Sequence, residues 1–195
     1  MRHADIDSPL TVRLPEPCLV VLVGAAGSGK STLAARWFAP DEILSSDAYR
    51  GLVAGDEADQ RVTGVAFRLL HRDLHRRLAA GLTTVVDATN VTAFARRSLT
   101  RIAARQGVPA VAIVLDLPAE LVLARNEARG RRIVPEAAVR RQLADLEKST
   151  SPETATREGF GAWRVIQTAA ELDRLKVHRA GTRVDLRAAD AGMRP

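Results

Sequence analysis

The chain has 195 residues, enough for one ordinary domain with a real buried core. Hydrophobic residues make up 46% and charged residues 27%, which are globular values. No apolar run reaches the roughly 18 residues that a membrane helix needs, so no membrane-spanning helix and no membrane partner are expected. The formal net charge of +6 suits a polyanionic partner. Arginine supplies nearly all of it, since lysine occurs only at Lys30, Lys148 and Lys176, and such a skew can also reflect genomic base composition.

In chain order, residues 1–16 are polar and proline-bearing and read as a flexible lead-in. They contain no apolar stretch of the kind that opens a secretory signal, so a cytoplasmic location is expected. The lone cysteine, Cys18, rules out an internal disulfide and reads as a buried thiol. Residues 18–23 form a short, wholly apolar run, the pattern of a parallel strand buried on both faces. A glycine loop follows, then a helix to about Phe38, stopped by Pro40. Strands are expected at 42–45, 83–86, 110–115 and 163–166. A helix is expected over 59–80, with Val62, Ala66, Leu69 and Leu78 on one face and Gly81 as its C-terminal cap. Thr92 is expected to cap a helix reaching Gln106 and ended by Gly107. Pro118 and Pro135 are placed to open two further helices, and another is expected over 169–175. The domain proper spans 17–175, and 176–195 reads as a loose tail. Strands alternating with helices imply an α/β fold, a five-stranded parallel sheet flanked by helices.

Gly24-Ala25-Ala26-Gly27-Ser28-Gly29-Lys30-Ser31, followed by Thr32, fits the P-loop pattern G-x-x-x-x-G-K-[ST], and it has the required strand before and helix after. Glycines let successive backbone N–H groups turn onto phosphate oxygens, and the helix N-terminus faces the same phosphates. Lys30 is placed to reach the β- and γ-phosphates and Ser31 to give a hydroxyl to Mg²⁺ or Mn²⁺. The expected ligand is ATP or another NTP.

The second strand ends in Ser45-Ser46-Asp47-Ala48-Tyr49-Arg50. Ligands of open α/β sheets bind beyond the carboxyl ends of the strands, so Asp47 is positioned to accept a proton from an attacking hydroxyl and Arg50 to hold an acceptor phosphate. The plainer alternative is that Asp47 caps a short helix. Asp87, ending the third strand, reads either as a holder of the metal's water shell or as a brace for Asn90 and its turn. Arg125 and Arg129 share one helix face, a repulsive spacing unless an anion lies between them. Together with Arg131 and Arg132 they read as an arginine-bearing lid over the triphosphate, the alternative being a solvated basic face.

These residues together, with Asp59-Gln60-Arg-Val-Thr-Gly64, Ala66-Phe67, Leu70-His71 and Thr84-Val-Val-Asp-Ala-Thr-Asn90, resemble the 5′-hydroxyl kinase module of bacterial polynucleotide kinase-phosphatases, which repair RNA. The likeness runs from about Cys18 to Ile166. It implies a P-loop phosphotransferase fold with an arginine lid. It also implies Asp47 as general base on the 5′-OH, Arg50 and Gln60 on the acceptor side, and Arg125, Arg129 and Arg132 on the NTP phosphates. The family's proteins continue into phosphatase and ligase modules; this sequence shows no clustered Asp/His/Asn signature of the former and is too short to hold either beside the kinase module. Those activities are expected only from a longer parent protein or in trans.

The function expected is transfer of the NTP γ-phosphate to the 5′-OH end of RNA or DNA. Two others compete: a P-loop kinase of a small-molecule hydroxyl, and a nucleotide-binding regulatory NTPase. A homodimer is compatible with the sequence.

Overall fold

The computed structural model describes residues 10–57, 59–130 and 133–180. Seven strands and eight α-helices are described: β1 (Thr11–Pro15), β2 (Leu19–Val23), α1 (Lys30–Trp37), β3 (Ile43–Ser45), α2 (Ser46–Ala54), α3 (Thr63–Ala79), β4 (Thr84–Asp87), α4 (Ala93–Arg105), β5 (Ala110–Leu115), α5 (Ala119–Glu127), α6 (Glu136–Ser149), α7 (Pro152–Arg157), β6 (Ala162–Ile166), α8 (Ala169–Arg174) and β7 (Lys176–Ala180). The main sheet has five strands in the order β3-β4-β2-β5-β6, and every pairing is parallel. The expected α/β fold is therefore the fold observed.

The apolar run of β2 has a direct cause. The strand is hydrogen-bonded on both sides, to β4 and β5, and covered on both faces. Val20 and Leu22 point into one core with Leu33 of α1, Val122 of α5 and Val139 of α6. Leu19, Val21 and Val23 point into the other with Leu70, Leu74 and Leu78 of α3 and Leu99 of α4. The strand period of two divides one sequence between two hydrophobic layers. Cys18 is buried beside them, and burial pushes its thiol up to about 11.

Helix punctuation follows local chemistry. The Thr92 hydroxyl accepts from the Ala95 N–H at 3.3 Å and caps α4. Gly81 and Gly107 end α3 and α4 in the left-handed region, at φ 69° and 65°. Pro118 and Pro135 are the N-cap residues of α5 and α6, one position before the first helical residue.

Three expectations are corrected. The helix expected over 59–80 begins as a short 3₁₀ turn over Gln60–Val62, with α3 proper starting at Thr63. Its buried stripe is Ala66, Leu70, Leu74 and Leu78, a strict four-residue repeat, and Leu69 is only half-buried. The lead-in and tail are not wholly loose: Thr11–Pro15 and Lys176–Ala180 pair in parallel as a second, two-stranded sheet. Val12 and Leu14 enter the first core, which offsets the cost of ordering these short strands. Arg179 adds ion pairs to Glu42 (2.6 Å) and Glu16 (3.3 Å). Helices α2 and α7 are short and were not separated from their loops by periodicity.

Arg96 of α4 is fully buried and paired with Glu158, which follows α7, through bonds of 2.6 and 2.9 Å. Its other N–H groups donate to the carbonyls of Asn90 and Ser149 and to the Ser149 hydroxyl, at 3.0–3.1 Å. One guanidinium thus ties the β4–α4 turn, the end of α6 and the end of α7. Removing one partner of a buried pair strands the other charge. Glu158→Ala is expected to lower unfolding free energy by about 3–5 kcal/mol, read as a lower urea midpoint at unchanged m-value; a midpoint equal to that of the parent chain contradicts it.

Candidate functional site

The loop after β2 runs along the carboxyl edge of the sheet and opens into a cavity of about 920 Å³. Gly29 is the N-cap of α1, with φ 101°. Gly27, at φ 88°, passes so close beneath α5 that a Cβ there would lie 2.4 Å from the Val122 carbonyl oxygen. The Ala26 N–H donates to Gln142 Oε1 of α6 at 2.8 Å, and the Gly24 N–H to the Thr89 carbonyl at 2.9 Å. The loop is therefore fixed from three sides.

Lys30 lies under the loop, 8% exposed, with Nζ donating to the carbonyls of Gly24 and Ala25, both at 2.8 Å. Ser28 Oγ lies 3.4 Å from the same nitrogen. Burial pushes the Lys30 ammonium down to about 8; Asp87 opposes the shift, Arg129 adds to it and Asp47 opposes it. Gly24, Ala25 and Ser28 thus carry Lys30, while Ala26, Gly27, Gly29, Ser31 and Thr32 line the cavity.

Asp47 and Arg50, from the first two turns of α2, line the cavity as well. The helix cap is Ser45, whose side chain accepts from the Ala48 N–H at 3.4 Å, so the capping alternative for Asp47 does not hold. Asp47 has an arginine beside each oxygen: Oδ1 accepts from Arg50 Nη2, and Oδ2 lies 3.8 Å from Arg129 Nη2. Arg50 is 7% exposed and also donates from Nε to the Glu57 carbonyl at 2.7 Å. Its guanidinium is thereby locked beside Asp47. The Tyr49 hydroxyl donates to Asp73 Oδ2 at 2.7 Å and joins α2 to α3.

Asp87 ends β4, nearly buried, level with Leu22 of β2 and Ser45 of β3. It faces the same cavity as Ser31. Asn90 takes its side-chain bonds elsewhere, donating to the carbonyls of Leu22 (2.8 Å) and Ala88 (3.4 Å). A hydroxyl and a carboxylate oxygen suit a magnesium ion that completes its shell with phosphates and water. Among the described residues no cluster of three His, Cys, Asp or Glu side chains is placed to hold a metal alone.

Arg125 and Arg129 both face the cavity from the end of α5 and the turn after it. Arg125 Nη1 lies 3.8 Å from where a Cβ on Gly29 would stand, so its guanidinium lies over the P-loop. The buried Asn126 closes the segment between them and α6, donating to the Val134 carbonyl (2.8 Å) and accepting from the Val134 N–H (3.1 Å). Arg132 and the Gln60 side chain lie outside the described residues; the Gln60 backbone sits in the 3₁₀ turn that leads into α3.

Several cavity residues carry no sequence signal. Arg36 extends from α1 and donates to the Asp173 carbonyl at 3.2 Å. Gln142 and Arg141 come from the middle of α6, and Leu172 and Asp173 from α8. Only the fold brings these distant segments to the loop.

A P-loop at the carboxyl edge of a five-stranded parallel sheet, faced by an arginine-bearing segment, defines a P-loop kinase-like fold. The chain belongs to the AAA-domain family, whose model matches residues 19–149. No curated protein matches it. Among solved structures it is similar to a provisionally assigned kinase of Chloroflexus aurantiacus, with 18% identity over 78% of this chain and 88% of that one, at a TM-score of 0.55. It is also similar to a chain of the Pnkp1/Rnl/Hen1 RNA repair complex, with 21% identity over 80% and 49%, at 0.55. A third likeness is to AvrRxo1-ORF1:-ORF2 with ATP, at 16% identity over 79% and 55%, with a TM-score of 0.60. The chain thus spans about half the length of those last two. At these identities the likenesses establish the fold.

Gly27→Ala adds a Cβ where neither φ nor space accepts one. It is expected to weaken NTP binding at least about tenfold, since a shift of about 1.4 kcal/mol suffices for that. Titration of a fluorescent ATP analogue measures this, and an unchanged Kd contradicts the packing argument.

Proposed function

We propose that this protein is a polynucleotide 5′-hydroxyl kinase, transferring the γ-phosphate of ATP or another NTP to the 5′-OH end of RNA or DNA. The observation that carries the reading is the position of Asp47: a carboxylate held by Arg50 and near Arg129, in the cavity that the P-loop lines. A module that only binds nucleotide has no use for a carboxylate in that place. Resemblance of the Asp47–Arg50 and Asp59–Gly64 segments to RNA-repair kinases supports a polynucleotide acceptor. The same fold also occurs in a chain of an RNA repair complex.

In the proposed reaction the P-loop N–H groups and Lys30 hold the β- and γ-phosphates. Asp47 accepts the proton as the 5′ oxygen forms its bond to phosphorus. The bond between the γ-phosphorus and the β–γ bridging oxygen breaks, and NDP leaves with that oxygen. Arg125 and Arg129 stabilise the charge spread over the transferring group. Arg50 and Gln60 bind the acceptor. Ser31 and Asp87 would hold Mg²⁺ or Mn²⁺, which neutralises phosphate charge when bound. Repair modules that remove phosphates or join ends are natural partners, in trans or in a longer chain.

The test is label transfer from γ-labelled ATP with Mg²⁺ to 5′-OH oligonucleotides, run beside small hydroxyl compounds. Labelled oligonucleotide is the expected product. Transfer only to a small hydroxyl compound, or hydrolysis alone, overturns the reading.

Asp47→Ala is expected to lower transfer by at least about 10²-fold, the usual scale for a lost general base, with ATP affinity within about twofold of the parent chain. Retained activity overturns its role. Arg125→Ala and Arg129→Ala are each expected to lower kcat/KM for NTP by about 10–10³-fold. An unchanged value for both removes the lid from the mechanism.

A further inference from the structure

Among the described residues, helices α3 and α4 carry a cluster of exposed arginines. Helices α3 and α4 together contain eight arginines and a single acid, Asp73. Six of the eight are exposed: Arg68, Arg72, Arg76, Arg97, Arg101 and Arg105. The two helices pack side by side on one sheet face: Leu70, Leu74 and Leu78 share a core with Leu99 and Ala103, and His75 meets Gln106 at 3.2 Å. Both start at the cavity's edge, where Thr63 and Phe67 of α3 and Ala88 and Thr89 just before α4 form part of its wall.

Of the α4 arginines, only Arg96 is buried. Arg97, Arg101 and Arg105 are exposed, and none has an ion-pair partner among the described residues. With Phe94 they fall within about 80° of the helix circumference and span about 12 Å from Arg97 to Arg105. Repulsive arginines four apart, with no acid on the helix to relieve them, cost stability unless an anion lies along them. Phe94 is 84% exposed in the first turn, at the end of α4 that follows the cavity-lining Ala88 and Thr89. On α3, Arg68 is exposed without a described partner, whereas Arg72 and Arg76 share Asp73.

We propose that the exposed face of α4 is the track for the acceptor strand beyond its 5′ end. It takes a single-stranded polynucleotide, whose backbone phosphates lie along Arg97, Arg101 and Arg105 while a base stacks on Phe94. This rests on the kinase reading above and extends it from the reacting end to the strand behind it. The chemistry fits single strands: a line of unpaired guanidiniums neutralises successive phosphates without reading sequence, and an exposed aromatic ring stacks any base.

The test separates binding from catalysis. Fluorescence anisotropy of a long, labelled 5′-OH single-stranded RNA gives Kd across a salt series for the full chain, for R97Q/R101Q/R105Q, and for a charge-matched control, R13Q/R157Q/R164Q, whose arginines are exposed elsewhere. The α4 variant is expected to bind about tenfold more weakly at low salt, and its log–log salt slope to flatten by about 2, near 0.7 per lost phosphate contact on a single strand. The control keeps the parent slope to within about half a contact. Phe94→Ala weakens binding severalfold while leaving the slope unchanged. Equal losses in the α4 and control variants, or no binding by the parent chain, overturn the track. Tighter binding to anionic lipid vesicles than to RNA also overturns it. Label transfer to a dinucleotide and to the long RNA is measured in parallel. Transfer to neither, with α4-dependent RNA binding intact, removes the kinase reading and leaves α4 as an RNA-binding face that serves no acceptor. Transfer to both at a KM ratio untouched by the α4 variant removes the track and leaves the kinase.

Discussion

The site rests on one crowded turn. Gly27 crosses beneath α5 with no room for a side chain, because the Val122 carbonyl occupies the place of a Cβ. That contact does two things together. It forces the loop into the left-handed conformation that turns its N–H groups outward, and it brings the helix bearing Arg125 down onto the loop. The phosphate cradle and the cations facing it therefore share a single packing contact. Gln142, bonded to the Ala26 N–H, repeats the logic from α6. Loop, α5 and α6 form one wall of the cavity on one face of the sheet.

The opposite wall of the cavity belongs to the other face. Asp47 and Arg50 rise from α2, which packs on α3 and is joined to it by the Tyr49–Asp73 bond. A parallel sheet makes this division natural. All five strands end at one edge, so helices from both layers deliver side chains to one cleft. No helix among the described residues is long and apolar enough to cross a membrane, and the cleft opens on the protein surface.

What the sequence made legible follows from locality. The P-loop, the β2 run, the Thr92 cap and the glycine stops are decided within a few residues, and they appear where local chemistry puts them. Asp47 lines the cavity because it stands two residues beyond the end of β3, at the carboxyl edge of the sheet. The missed features depend on contacts across the chain. Strands β1 and β7 are short, polar outside and separated by most of the sequence, so neither shows its partner. Arg36, Gln142 and Asp173 carry no motif and reach the cavity only through the packing of α1, α6 and α8. Arg96 looks like any helical arginine until Glu158, 62 positions later, is folded against it. The stripe of α3 runs through Leu70 and not Leu69 because the pair Leu69-Leu70 offers two registers, and only packing against the sheet chooses between them.

The two walls meet at the contact between Arg129 and Asp47. At 3.8 Å, with both side chains partly exposed, the pair is long and solvent-screened, so separating it costs little. In the proposed reaction that weakness is useful. Arg129 must turn to phosphate oxygens and Asp47 to a hydroxyl proton, and a tight pair would oppose both moves. Arg50 behaves differently: it is buried, bonded to the Glu57 carbonyl, and stays with Asp47. Asp47 is thus anchored on one oxygen and exchangeable on the other. That asymmetry is what a general base requires, since an orienting partner must remain while the second oxygen takes the proton.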